Sequence, residues 1–321
     1  MINLNKKLSG LRFISLLAAL SIILITVVVF INSRIDIYGL FTPVKGRSIS
    51  ILNNERVSKY LLSYDYIPEN FNSVIIGTSL SDNLDVSVYN SGDYKIYNAS
   101  IMGANISEIN PIASNVIKGG VKNVILCISP YLTKNSGSKE VEFGQKVYLG
   151  ALGSVDLYQT YAVGLIRHYN LLPRKFPSTQ FNDHGVHFYN DFFKLDNVQE
   201  KINEEIKLHA NEDIVIDSVA LTQFKELIAL LDENHINSIG YFHPVPFEIY
   251  ESNRTNYEKF EQTITNIING RMRLINFNSL SNRSFTSDYT NYIDHGHLSV
   301  KGQQVILDSL YKSLGVKSVT N

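Results

Sequence analysis

Residues Phe13 to Ile31 are apolar except for Ser15, Ser21 and Thr26, and nothing else in the chain limits its fold so sharply. As a helix rising about 1.5 Å per residue, such a run crosses a hydrocarbon core of about 30 Å. Lys6, Lys7 and Arg12 precede it and Arg34 follows it, a bias that predicts a cytoplasmic N-terminus. The run is long for the apolar region of a signal peptide, and Val29-Phe30-Ile31-Asn32 has no small-x-small cleavage pattern. The expectation is an uncleaved single-pass anchor, residues 1–34, in the plasma (inner) membrane, with everything after it extracytoplasmic (periplasmic).

The 321 residues hold 29 Lys and Arg against 30 Asp and Glu, with the signs interspersed. There is no basic field for nucleic acid and no acidic tail. Cys127, the only cysteine, lies in the apolar run Val124-Ile125-Leu126-Cys127-Ile128. It excludes an intrachain disulfide and a multi-cysteine metal site, and reads as a small buried residue on a central strand.

Residues 35–70 read as a polar connector with a short helix around Asn53 to Leu62. An α/β rhythm follows. Short β-branched or aromatic runs predict strands at Ser73 to Ile76, Lys95 to Asn98, Asn123 to Ile128, Ser238 to Phe242 and Arg273 to Phe277. Helical stretches at Ile106 to Lys118, Ile214 to Glu233, Asn256 to Ile268 and Ser299 to Leu314 alternate with them. That alternation predicts a parallel sheet covered on both faces, as one domain over residues 71–321. The Tyr-, Asn- and Phe-rich stretch at about 131–211 breaks the rhythm and is too long for a plain loop, so an inserted lid or subdomain is expected there.

Two short segments carry chemistry. Val74-Ile75-Ile76-Gly77-Thr78-Ser79 sets a hydroxyl at the carboxyl end of the first strand, where open α/β sheets build their sites. Asp294-His295-Gly296-His297, directly before a terminal amphipathic helix, can supply a base and the carboxylate that orients it from one turn. A serine hydroxyl is a poor nucleophile at neutral pH and needs such a base; Ser79, His297 and Asp294 fill the three roles. Each motif alone is cheap. Gly-x-Ser ends many strands in a plain turn, and Asp183-His184-Gly185-Val186-His187 offers a competing Asp and His pair.

Order and context separate them. With Tyr97-Asn98-Ala99-Ser100-Ile101-Met102-Gly103-Ala104-Asn105 between, the chain resembles the SGNH (GDSL-like) hydrolases, particularly membrane-anchored relatives that acylate or deacylate cell-surface polymers. Residues 71–130 and 290–312 carry the resemblance. It implies a flavodoxin-like three-layer α/β sandwich of about five parallel strands, and no cofactor. It also implies an oxyanion hole built from the N–H groups of Ser79 and Gly103 and an asparagine side chain after the third strand. That asparagine has no counterpart: Ser129-Pro130-Tyr131-Leu132 stands where the family has Gly-x-Asn-Asp. Asn105 and Tyr131 are the nearest substitutes.

Other residues admit two readings each. Asp82 and Asn83 either contact substrate or cap a helix start; His243 lines the pocket or holds a loop; His295 points to substrate or solvent. Asp183, His184 and His187 have weak metal-like spacing without further ligands nearby, so no metal is expected. Aromatic residues of the insertion either stack on sugar rings or pack a lid. Two function classes follow: an esterase or O-acyltransferase, most simply for acetyl, acting on a cell-surface polysaccharide or other acylated polymer, or a catalytically degenerate polymer-binding or assembly subunit. For transfer rather than hydrolysis, a membrane-embedded acyl-donor protein is a candidate partner.

Overall fold

The computed structural model describes residues 4–89, 94–134 and 143–315. Residues 135–142 of the expected insertion, and the two chain ends, fall outside the described residues.

Five parallel strands form one sheet: β1 (Ser73–Ile76), β2 (Ile96–Asn98), β3 (Asn123–Ile128), β4 (Asn237–Phe242) and β5 (Arg273–Asn276), in the order β2-β1-β3-β4-β5. All of β1 and the run Val124 to Ile128 of β3 are buried, which is why these strands read as unbroken apolar runs rather than alternating ones. Helices Ile106–Lys118, Ser218–Glu233 and Arg254–Ile268 pack their apolar stripes on one face. The C-terminal helix Val300–Leu314 covers the other with Ile306, Leu307 and Leu310. The order reverses between β1 and β3, since the chain leaves β1 toward β2 and then returns past it. In open sheets that reversal opens a crevice at the carboxyl edge, where ligands bind.

Local chemistry sets the helix ends. Asn105 caps Ile106–Lys118 in a reciprocal box with Glu108, and Ser299 caps Val300–Leu314, which stops at Gly315 in the left-handed region. The helix Ser218–Glu233 starts at Ser218 rather than Ile214, because the Asp217 carboxylate takes the N–H groups of Val219 and Ala220.

Residues 35–70 are no mere connector. Tyr38, Leu40, Val44, Ile49 and Ile51 are buried in the same core as the sheet, together with Tyr60 to Leu62 of the helix Glu55–Leu62. Their apolar positions are irregularly spaced, so no periodicity announced them. The N-terminal helix Leu4–Ile35 is long and apolar enough over Gly10–Ile35 to cross a membrane, and it stands clear of the domain except at its end.

Candidate active site

Gly77 is required by its surroundings. A Cβ there would lie 2.3 Å from Ser81 Oγ and 2.6 Å from Cys127 Cβ, so only glycine lets β1 turn this tightly. Ser79 then opens a single helical turn, Ser79–Asp82. The Asn98 amide pins that turn by donating to the carbonyls of Ser81 (2.7 Å), Asp82 (3.1 Å) and Leu84 (3.1 Å).

The second part of the site is the turn before the C-terminal helix. Asp294 Oδ2 lies 2.7 Å from His297 Nδ1, and Oδ1 accepts the backbone N–H groups of Gly296 (2.8 Å) and His297 (2.7 Å). Burial pushes the Asp294 carboxyl up, but the bond from His297, its charge and the two backbone donors outweigh this and hold it at about 2. Asp294 is thus ionised at neutral pH and fixes the proton of His297 on Nδ1. The lone pair of Nε2 is left available, and Nε2 is buried with no hydrogen-bond partner among the described residues.

Ser79 and His297 line one cavity of about 370 Å³, with Ser129, Tyr131, His243 and His295 among its other walls. No hydrogen bond joins Ser79 Oγ to His297 Nε2. His243 reaches the cavity wall, yet its ring is engaged beneath the site: Nε2 lies 2.9 Å from the Gly296 carbonyl and Nδ1 lies 4.0 Å from Cys127 Sγ. Burial, above all, lowers its pKa to about 4. A neutral ring donating from Nε2 holds the Asp294 to His297 turn in place, so His243 both lines the cavity and braces that turn. His295 does face the cavity, and its Nδ1 is buried without a partner among the described residues.

Ser129 is the residue that sequence reasoning passed over. It was counted only as part of a lost motif. Ile76 of β1 pairs with Leu126 of β3, and the segments that follow these adjacent strands bring Ser79 and Ser129 to the walls of one cavity. Ser129 is 3% exposed, lines the cavity, and its Oγ has no partner among the described residues. A buried hydroxyl left unpaired is costly unless something else uses it. The legible signal was a small hydroxyl residue at the position of the missing asparagine.

The structure places several of the expected contacts away from the cavity walls. Asn105 spends its side-chain oxygen on the N–H of Glu108 and the hydroxyl of Ser107 and is not among the cavity walls. Asn83 is buried and donates to the Leu298 carbonyl. Asp82 neither caps a helix start nor meets substrate: it ends the Ser79 turn, fully buried, and accepts from Lys59 Nζ (2.5 Å) and the Tyr189 hydroxyl (2.9 Å), with His187 Nδ1 at 3.2 Å. Gly103 is exposed at φ +63°. It lies two residues past Ile101, whose N–H bonds the Gly77 carbonyl, which keeps it beside the Ser79 loop but off the cavity wall.

The competing histidine is part of that buried cluster. His187 Nδ1 faces Asp82, Nε2 faces the Gln180 amide at 3.0 Å, and burial lowers its pKa to about 4. Glu55, Asp82 and His187 each present a ligand atom within 4.8 Å of the others. The Lys59 ammonium already bonds Glu55 (2.9 Å) and Asp82 (2.5 Å), so a protein cation fills the role a metal would have. Tyr189 links this cluster to the site, its hydroxyl on Asp82 and its ring edge-on to His297, centroids 5.2 Å apart.

No protein-family model matches the chain, and no curated protein does. Among solved structures, a Streptococcus pneumonia protein provisionally named a platelet activating factor matches at 12% identity and a TM-score of 0.42, covering 81% of this chain and 91% of its own. A variant of an acetyl-xylooligosaccharide esterase from Geobacillus matches at 12% identity and 0.40, over 78% and 97%. A provisionally assigned acylhydrolase from Bacteroides fragilis matches at 11% and 0.38, over 75% and 87%. Values this low leave the chemistry to be read from the site itself.

Proposed function

We propose that the chain is a membrane-anchored, extracytoplasmic serine esterase or O-acyltransferase that moves an acyl group, acetyl in the simplest case, on or off a cell-surface polysaccharide. The observation that carries this reading is the Asp294 and His297 pair, whose buried, unpaired Nε2 shares a cavity with Ser79. In the proposed reaction His297 Nε2 takes the Ser79 proton as Oγ attacks the ester carbonyl. The proton passes to the leaving alkoxide and the acyl group stays on Ser79. Water or a sugar hydroxyl then gives its proton to Nε2 and attacks, and the proton returns to Ser79 as the acyl group departs. Asp294 remains ionised throughout and stabilises the imidazolium.

The developing oxyanion is assigned to the Ser79 N–H, with the Ser129 hydroxyl in place of the missing asparagine; the Gly103 N–H that the resemblance implies as a further donor lies off the cavity wall here. Tyr131, half exposed on the cavity wall, offers a ring face to a sugar and is the alternative third donor. The apolar N-terminal helix with its flanking Lys and Arg residues supports the anchored, outward-facing placement.

The test is incubation of the full chain in detergent with an activated acetyl ester, followed by intact-mass measurement. Expected is one acetyl group on Ser79, discharged faster when a polysaccharide acceptor is added if the enzyme is a transferase. No acylation of Ser79, with cellular glycan acylation unchanged in a Ser79→Ala strain, would replace this reading with that of a polymer-binding subunit.

A further inference from the structure

The end of the N-terminal helix is bolted to the insertion. Asn32 is buried and donates to the Leu152 carbonyl (2.9 Å) and the Tyr158 hydroxyl (3.3 Å), while the Tyr161 hydroxyl donates to Asn32 Oδ1 (3.2 Å). Gly153 sits against Val28, where an added Cβ would be 3.5 Å from the valine methyl. Just past the helix, the Asp36 carboxylate takes the N–H groups of Leu40, Phe41 and Thr42. This junction is therefore a fixed joint.

Depth follows from the charges. Arg12 and Arg34 bound the uncharged stretch of the helix, whose length at about 1.5 Å per residue matches a hydrocarbon core of about 30 Å. Val28 lies six residues before Arg34, hence about 9 Å deeper along the axis. Gly153, packed on Val28, is carried to the same depth. Around it Leu149, Val155 and Tyr158 are exposed, Val155 at 72%, on a domain face that none of the described residues covers.

We infer that the segment from Leu149 to Tyr158 is a second membrane contact, with Leu149, Val155 and Tyr158 seated in the headgroup and acyl boundary of the outer leaflet. Interfacial segments bury their apolar side chains about 5–10 Å into that boundary, the depth that Val28 imposes here. Tyr158 suits the position, with an apolar ring and a hydroxyl held at Asn32. Asp156, exposed beside Val155, keeps the segment at headgroup level rather than in the core. The occupant is the lipid bilayer, because the face continues directly from the helix that crosses it. Two points of attachment stop the domain from swivelling about its anchor.

Single-site labelling tests this in the full chain reconstituted into nanodiscs, because the only native cysteine, Cys127, is buried. Leu149→Cys, Val155→Cys, Ile22→Cys within the span and Leu280→Cys after edge strand β5 each receive an environment-sensitive fluorophore. The unsubstituted chain serves as the labelling blank. Lipids carrying a quencher high on the acyl chain should quench positions 149 and 155, and lipids carrying it near the acyl terminus should quench position 22, at least several-fold more than position 280. Quenching at 149 and 155 no greater than at 280 would overturn the inference. Failure at position 22 would overturn it together with the spanning helix. Neither result depends on the chain being an acyl-transfer enzyme.

Discussion

Asp-His-Gly occurs twice in this chain, at Asp183 to Gly185 and at Asp294 to Gly296, and the two turns do opposite things. In the second, His297 follows the glycine at once, and its Nδ1 meets the carboxylate three residues back. In the first, Val186 intervenes, Gly185 takes φ +75°, and Asp183 bonds the neighbouring His184 (2.9 Å) and Ser48 (2.6 Å) instead. An added Cβ at Gly185 would strike the Asn98 carbonyl at 2.4 Å, so this turn is packed hard against the edge strand β2. His187 ends with both ring nitrogens facing protein partners, whereas His297 keeps one unpaired in a cavity. One inserted residue and the surface beneath the turn separate a structural histidine from a candidate base.

The sharpest way to break the comparison is to exchange the fates of the two histidines. His297→Ala should abolish Ser79 acylation, a loss of at least about 10³-fold, while leaving the thermal midpoint within a few degrees of the parent. His187→Ala should do the reverse. It strips the fully buried Asp82 of a partner, costing about 1–3 kcal/mol, while acylation measured well below the midpoint persists. If His187→Ala silenced acylation in a folded protein and His297→Ala did not, the two assignments would be inverted.

Asp294→Asn should cost about 10³ to 10⁴ in acylation rate with little change in fold, because the amide no longer selects the Nδ1–H tautomer. Asp183→Asn, the matched change in the other turn, should leave the rate unaltered. Ser129→Ala comes next. Removing one oxyanion donor typically costs about 10² to 10³ in rate, and the loss should fall on kcat rather than KM, since the bond strengthens only as charge develops. A pure KM effect would move Ser129 from the oxyanion to ground-state binding, and no effect with Tyr131→Phe slow would hand the role to Tyr131.

The smallest expected signal is in the pH dependence of stability. Burial holds His187 and His243 at about 4 against an ordinary 6.5. The unfolded chain therefore takes up protons that the folded chain refuses, and stability is lost as the pH falls from about 6.5 to 4. Glu55 runs the other way. Burial raises it to about 7 from 4.5, so its contribution is full below 4.5 and lost as the pH rises through 7. Two histidines against one carboxyl leave a net loss on acidification, readable by urea unfolding. His187→Gln should shallow that slope; an unchanged slope would show that His187 titrates alike in both states.

Much of the architecture was legible because it is written in local patterns. The apolar runs of β1 and β3, the 3.6-residue stripe of Ile106–Lys118 and the cap at Ser299 need no distant partner to be read. Ser79 and the Asp294 and His297 pair were legible as well, since each sits at a strand or helix end that the same patterns locate. The connector at 35–70 was misjudged because its buried residues have no regular period. Asp82 was misread because its partners, Lys59, His187 and Tyr189, arrive from 23, 105 and 107 residues away.

By itself the amino-acid sequence determined that this chain would carry one apolar helix followed by alternating strands and helices, and that a serine would leave the first strand opposite an Asp and His turn. Only the tertiary structure decided which Asp-His-Gly turn faces a cavity, that Asn105 is a cap and Ser129 an unpaired buried hydroxyl, and that Gly153 rides on Val28. The reason is physical: secondary structure follows from neighbours along the chain, whereas the burial and partners of a polar group depend on surfaces that come together only when the chain has folded.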